Sequence, residues 1–319
     1  MIVRTAHDVP ELQAEMAQWA HDGTRHGAAA YFTGVFTAAG FTALPGDPEP
    51  AERPAAESMA HHLADTLDLA EAFYVTSDMT ALAHHAARRL TDYAFTVEDM
   101  PAPAGVLVYQ DPPPDRHHRP VQAITWGPRR GLTTVDYWVL PPRTPRNDEV
   151  SPDDPVVRRF TTLDPNTLPP GMDTPHGYAF ASTTALRPGD RLDGDEGTHT
   201  LRLLAATWLL MGQSIATTDT LHAPRASRRR IARLAPRTPT SVRVIELRHA
   251  RTPGDGTAEN TPGTRAYQHR WVVRGHWRRY RDPRFSDEVR ARPIWIGDHI
   301  AGPPGAPLIG GRRVHVLKR

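Results

Sequence analysis

Residues 267–281 read Tyr-Gln-His-Arg-Trp-Val-Val-Arg-Gly-His-Trp-Arg-Arg-Tyr-Arg and hold the side chains best suited to chemistry on a phosphate. Taken as one strand, its side chains alternate between two faces. Tyr267, His269, Trp271, Val273, Gly275 and Trp277 fall on one, an aromatic face suited to a core. Gln268, Arg270, Val272, Arg274, His276, Arg278 and Tyr280 fall on the other, a cationic stripe carrying an imidazole and a phenol. The planar fork of arginine donates two parallel hydrogen bonds to a phosphate. A tyrosine ring offers a stacking platform to an unpaired base. Cleavage of RNA without metal needs a general base for the 2′-hydroxyl, a general acid for the leaving oxygen and cations around the phosphate. His276 and Tyr280 could share the proton transfers while Arg274 and Arg278 stabilise charge. Arg270, Arg279 and Arg281 extend the cationic set, and Arg228, Arg229 and Arg230 supply a second one in a short basic helix. Each has a plainer alternative: His276 bonded to a neighbouring carbonyl, the tryptophans as core, Arg228–Arg230 as a solvated helix face. Gly275 can mark a bulge that shifts the phase of the residues after it.

Other chemistries are missing from the sequence. It has no cysteine, which removes disulfides, thiolate catalysis and cysteine-based metal sites. There is no Gly-Lys-Ser/Thr phosphate loop, no nucleophile elbow and no His-Glu-x-x-His. The pairs His61-His62, His84-His85 and His117-His118 are adjacent, not spaced to aim two imidazoles at one metal. Asp190, Asp193 and Asp195 form an acidic loop that could hold a hard cation, without the EF-hand pattern. No metal or cofactor is expected.

The elements that must position the cationic residues follow from a charge asymmetry. Of 38 basic and 36 acidic residues, 22 and 7 lie in 221–319, a balance of +15. That leaves 16 basic and 29 acidic residues in 1–220, a balance of −13. All but Lys318 of the basic residues are arginine. An acidic body joined to a basic C-terminal third points to an anionic partner for one part and a different partner for the other. Helical spacing is read near residue 8 onward, over 55–73, from 77 onward, over 198–217 and over 225–234. Strands are expected at 93–96, 105–110, 121–126, 132–139, 242–247, 267–281, 293–297 and 312–317. The expected fold class is α+β: an acidic domain over 1–140 with an antiparallel sheet, a Pro/Asp-rich linker or excursion over 141–196, and a basic helix-and-sheet domain over 197–319. No apolar run reaches membrane-spanning length, and the N-terminal residues lack the apolar core of a secretory signal, so a cytoplasmic protein without membrane contact is expected.

The run from His269 to Arg279, followed by Arg292-Pro-Ile-Trp-Ile and Gly302-Pro, resembles the C-terminal module of a family of mobile-element and phage-associated proteins. That family includes the type V-A anti-CRISPR that blocks synthesis of a CRISPR effector nuclease. Phe73-Tyr-Val-Thr-Ser-Asp-Met, Met100-Pro-Ala-Pro-Ala-Gly and Ala123-Ile-Thr-Trp-Gly carry a looser likeness to actinobacterial proteins. The resemblance implies an N-terminal domain that recognises a protein or nascent-peptide target and a C-terminal part that acts on RNA. The resulting expectation is an RNA-directed regulatory protein that binds, or also cleaves, mRNA. The alternative is a non-enzymatic interaction protein whose basic third docks on DNA or on an acidic protein.

Overall fold

The computed structural model describes residues 5–24, 27–38, 52–113, 120–139, 179–192, 199–248, 270–303 and 307. Helix α1 (Val9–His21) starts with Pro10 in its first turn, where a missing N–H costs nothing. It is followed by α2 (Ala28–Ala38), an apolar helix, and by α3 (Glu52–Leu69). The side chain of Gln13, fully buried on α1, donates to the carbonyls of Leu67 (2.7 Å) and Ala70 (2.8 Å). Those carbonyls lie in the last turn of α3 and just past it, where no intrahelical partner exists. The chain therefore leaves the helix at Leu69 and turns at once into strand β1 (Glu71–Val75). A helix running on to residue 73 was expected; the apolar run Phe73-Tyr-Val hides the change of period.

Seven strands form one sheet in the order β5-β4-β3-β2-β1-β7-β6. The remaining ranges are β2 (Gly105–Tyr109), β3 (Val121–Arg129), β4 (Leu132–Val139), β5 (Ala179–Leu186), β6 (Ala216–His222) and β7 (Ser241–Leu247). β1 is parallel to both of its neighbours, β2 and β7, and every other pairing in the sheet is antiparallel. The sheet is thus mixed, and the expected antiparallel sheet is corrected at β1. Burial on both faces explains why β1 reads as a continuous apolar run without alternation. The sheet also takes strands from both sides of the expected boundary between 140 and 197, and β5 lies inside the stretch expected to be a linker.

Alternate residues send two cores to opposite faces. Phe73, Val75, Leu107, Tyr109, Ile124, Trp126 and Ile245 meet α4 (Ser77–Ala87) and α5 (His199–Met211). Ala72, Tyr74, Val106, Val108, Ala123, Trp138, Val242 and Val244 meet α1, α2 and α3, with Ile231 and Ala235 of α6 (Arg225–Leu234) and just beyond it. The helix expected over 198–217 ends at Met211, and its tail is the edge strand β6. Residues 93–96 make only a single bridge, Ala94 to Arg191.

The segment from residue 270 folds on the α4–α5 face. It forms two short ladders, β8 (Trp271–Val273) with β11 (His299–Ala301), and β9 (His276–Arg278) with β10 (Ile294–Ile296). A one-turn helix, α7 (Asp287–Ala291), lies between them in sequence. The single strand expected over 267–281 is therefore broken at Arg274-Gly275. A Cβ on Gly275 would collide with the Trp295 ring and crowd the Asp298 carboxylate, so only glycine admits this approach. Residues 267–269, 193–195, 117–118 and 312–317, named above for their chemistry or as a strand, lie outside the described residues.

A candidate polyanion-binding cleft

Trp277 anchors the cleft. Its ring packs at 5.3 Å against the buried Trp295, and its Nε1 donates to the Ala86 carbonyl at the end of α4 (2.9 Å). Trp295 in turn meets the His85 ring edge-on at 5.6 Å, and its backbone N–H donates to Gln213 Oε1 (2.8 Å). With Trp277 directed inward, Arg279 and Arg281 line the same side of the ribbon. Arg89, Leu90, Thr91 and Asp92, which follow α4, and Pro293 complete the lining of a cleft of about 310 Å³.

Three arginines from two distant parts of the chain thus line one cleft. Arg89 donates to the ring of His85 (2.9 Å to Nε2), one turn back on α4. Arg279 donates to the backbone carbonyl of Asp92 (2.8 Å). Asp92, held at a positive φ of 54°, turns its carboxylate away to Arg191 (2.6 Å). The acid in the cleft wall is therefore already engaged, and the wall presents net positive charge. The ribbon itself is tied down by Arg292, whose Nε lies 3.1 Å from the buried carboxylate of Asp99. Asp99 also accepts from the Tyr93 hydroxyl (2.8 Å), and burial followed by this negative charge pushes the phenol's pKa up.

The expected catalytic group lies on the other side of the ribbon. Arg274 and His276 are exposed, and Arg278 covers the Tyr280 ring at 5.0 Å. Tyr280 packs at 4.6 Å against Phe285, over which Arg284 lies at 5.3 Å. His276 Nδ1 is 3.1 Å from the Arg274 carbonyl. Because a carbonyl only accepts, the ring donates from Nδ1. This is the plainer role weighed for His276. Arg270 contributes its backbone N–H to the Pro307 carbonyl (2.9 Å).

The two basic sets do not form one surface. Arg228, Arg229 and Arg230 sit on α6, across the sheet from the cleft. Arg230 is engaged within the protein's own charges, its two terminal nitrogens 2.8 Å from Glu11 and 2.7 Å from Glu15 of α1. Arg89, Arg284 and Phe285 were not among the expected site residues. The pair Arg88-Arg89 at a helix end, a favourable place for cations, was the available signal.

The adjacent histidines separate as helix geometry requires. His84 stacks on His199 of α5 at 5.9 Å while His85 faces Trp295. Burial first, then His199 and Arg88, lowers the His84 pKa. Among the described residues no group of three or more His, Asp or Glu is placed to hold a metal. No described helix is long and apolar enough to cross a membrane. In the body, Asp136 on β4 is buried, and burial pushes its carboxyl up to about 6 against the opposing hydroxyls of Thr183 and Thr125. Nearby on β4, Thr134 Oγ1 lies 2.7 Å from His62 Nε2; burial, then Arg129, lowers that imidazole to about 4. No known protein family, curated protein or solved structure matches this chain.

Proposed function

We propose that the protein is RNA-directed and that the cleft between α4 and residues 277–281 holds the phosphates of a single-stranded segment. The observation that carries this reading is that Arg89, Arg279 and Arg281 line one cleft whose acid, Asp92, is already paired. Arginine forks suit phosphate; the Tyr280–Phe285 pair lies on the other side of the same ribbon, covered by Arg278 and Arg284. The acidic balance of 1–220 repels nucleic acid and favours a protein or nascent peptide as the partner of the body. The reading is one of binding. The His276 side chain has a single hydrogen bond among the described residues, to the Arg274 carbonyl two residues before it, and no partner there that would relay a proton.

The test is anisotropy of a fluorescent 12-nucleotide single-stranded RNA titrated with the full chain across salt concentrations, with EDTA present and RNA length checked afterwards. Binding should weaken steeply with salt. The double variant Arg279→Gln/Arg281→Gln should bind at least tenfold more weakly, with a salt slope lower by about 1.4. Unchanged affinity and slope in that variant would remove the cleft from the proposal. Shortening of the RNA that disappears in His276→Gln would replace binding with cleavage.

A further inference from the structure

Helix α6 is built against its own electrostatics. Arg225 occupies its first turn, where the helix dipole favours acids, and that turn holds no acid. Arg225, Arg229 and Arg233 follow at spacings of four, with Arg228 beside them, so like charges face each other along one side. All four are exposed, and none makes an ion pair among the described residues. The opposite side is fixed: Ile231 is buried against α1, and Arg230 grips Glu11 and Glu15. Anchoring therefore leaves an outward face of four arginines, with only exposed Ala226 and Ala232 among them. A helix strained in this way gains most from an external polyanion.

We infer that this face docks on the phosphate backbone of double-helical RNA, as a second site on the far side of the sheet from the cleft. The choice of RNA rests on the function proposed above; the choice of a duplex rests on the face itself. It offers no aromatic ring on which an unpaired base would stack. It offers no apolar anchor of the kind that dominates protein interfaces. The row from Arg225 to Arg233 spans about 12 Å at 1.5 Å per residue. The narrow major groove of an A-form helix brings two phosphate rows within reach of such a face.

The experiment measures binding of the full chain to a 16-base-pair RNA duplex, the matching DNA duplex and the 12-nucleotide single strand, together with thermal melting. Arg228→Gln/Arg229→Gln/Arg233→Gln should bind the RNA duplex at least tenfold more weakly and lower its salt slope by about two to three. Its affinity for the single strand should be unchanged, and its melting temperature equal or higher, because the helix loses repulsion. The matching triple Lys variant should keep the salt slope. Full duplex affinity in the Gln variant would overturn the inference, as would tighter binding of the DNA duplex than of the RNA duplex. The cleft variant Arg279→Gln/Arg281→Gln separates the two proposals: it should lose the single strand and retain the duplex, so failure of the cleft leaves the duplex arm readable.

Discussion

The seven-stranded body and the segment after residue 270 are held together in different ways. The body buries aromatic side chains on both faces of one sheet, such as Trp126 and Trp138 with no exposed surface. The later segment has strands of three residues and depends on a few fixed points: Trp277 on Ala86, Trp295 on Gln213, and Arg292 on Asp99. Bulk burial makes the first robust, and point contacts make the second locally separable. The cleft lies where the two meet, so its geometry inherits the weaker of the two.

Trp126→Ala should produce the largest effect. The ring stacks on Phe73 at 5.7 Å, meets Trp208 at 5.2 Å and donates Nε1 to the Ala102 carbonyl. Its truncation should cost about 3–5 kcal/mol in denaturant unfolding and destabilise the whole chain. Trp295→Ala should cost about 3 kcal/mol, but locally. Hydrogen exchange in β9 and β10 should accelerate by about two orders of magnitude, while the main melting transition barely moves. If the main transition falls as far as in Trp126→Ala, the two regions are one cooperative unit.

Acidity should act on the body. The folded pKa of Asp136, about 6, lies above its ordinary 3.8, so the group's contribution is complete below 3.8 and is lost as pH rises through 6. Asp136→Asn should therefore raise stability at pH 7.5 by about 2–3 kcal/mol at most, with little effect at pH 4. His62 runs the other way: lowered to about 4, its contribution is present above 6.5 and lost as pH falls through 4. In Asp136→Asn the acid side of the stability curve should consequently fall more steeply than in the parent chain. The smallest effect is expected for Arg292→Gln, about 1–2 kcal/mol, read as faster exchange in β10 and weaker binding in the cleft. A binding affinity unmoved by this change would show that the ribbon keeps its place without Asp99.

The α+β class and α6 were legible in the sequence because local pattern and final structure agree there. The basic helix expected over 225–234 has the observed bounds. Inward placement of Trp277 followed from simple alternation. What could not be read were the pairings. β1 follows α3 after a single residue, and nothing local says that its second neighbour is β7. The cleft was half legible: Arg279 and Arg281 were singled out, but Arg89 joins them only through tertiary packing nearly 200 residues away in sequence. The charge balance showed where arginines crowd along the chain but not that the sheet divides them between two sides, with Arg230 paired to Glu11 and Glu15.

The position of β1 has a consequence for how the chain is made. β2 follows it closely, but β7 begins about 170 residues after β1 starts. At roughly 5–20 residues per second, ribosomal synthesis takes about 10–35 s to deliver that neighbour. Throughout that interval one flank of a doubly buried apolar strand has unpaired N–H and C=O groups, the template on which chains aggregate or swap strands. Glu15 waits longer still, 215 residues, for Arg230, and Glu11 waits with it. A chain terminated before residue 241 keeps its acidic body yet cannot close its sheet, so the basic third is needed to fold the part that precedes it.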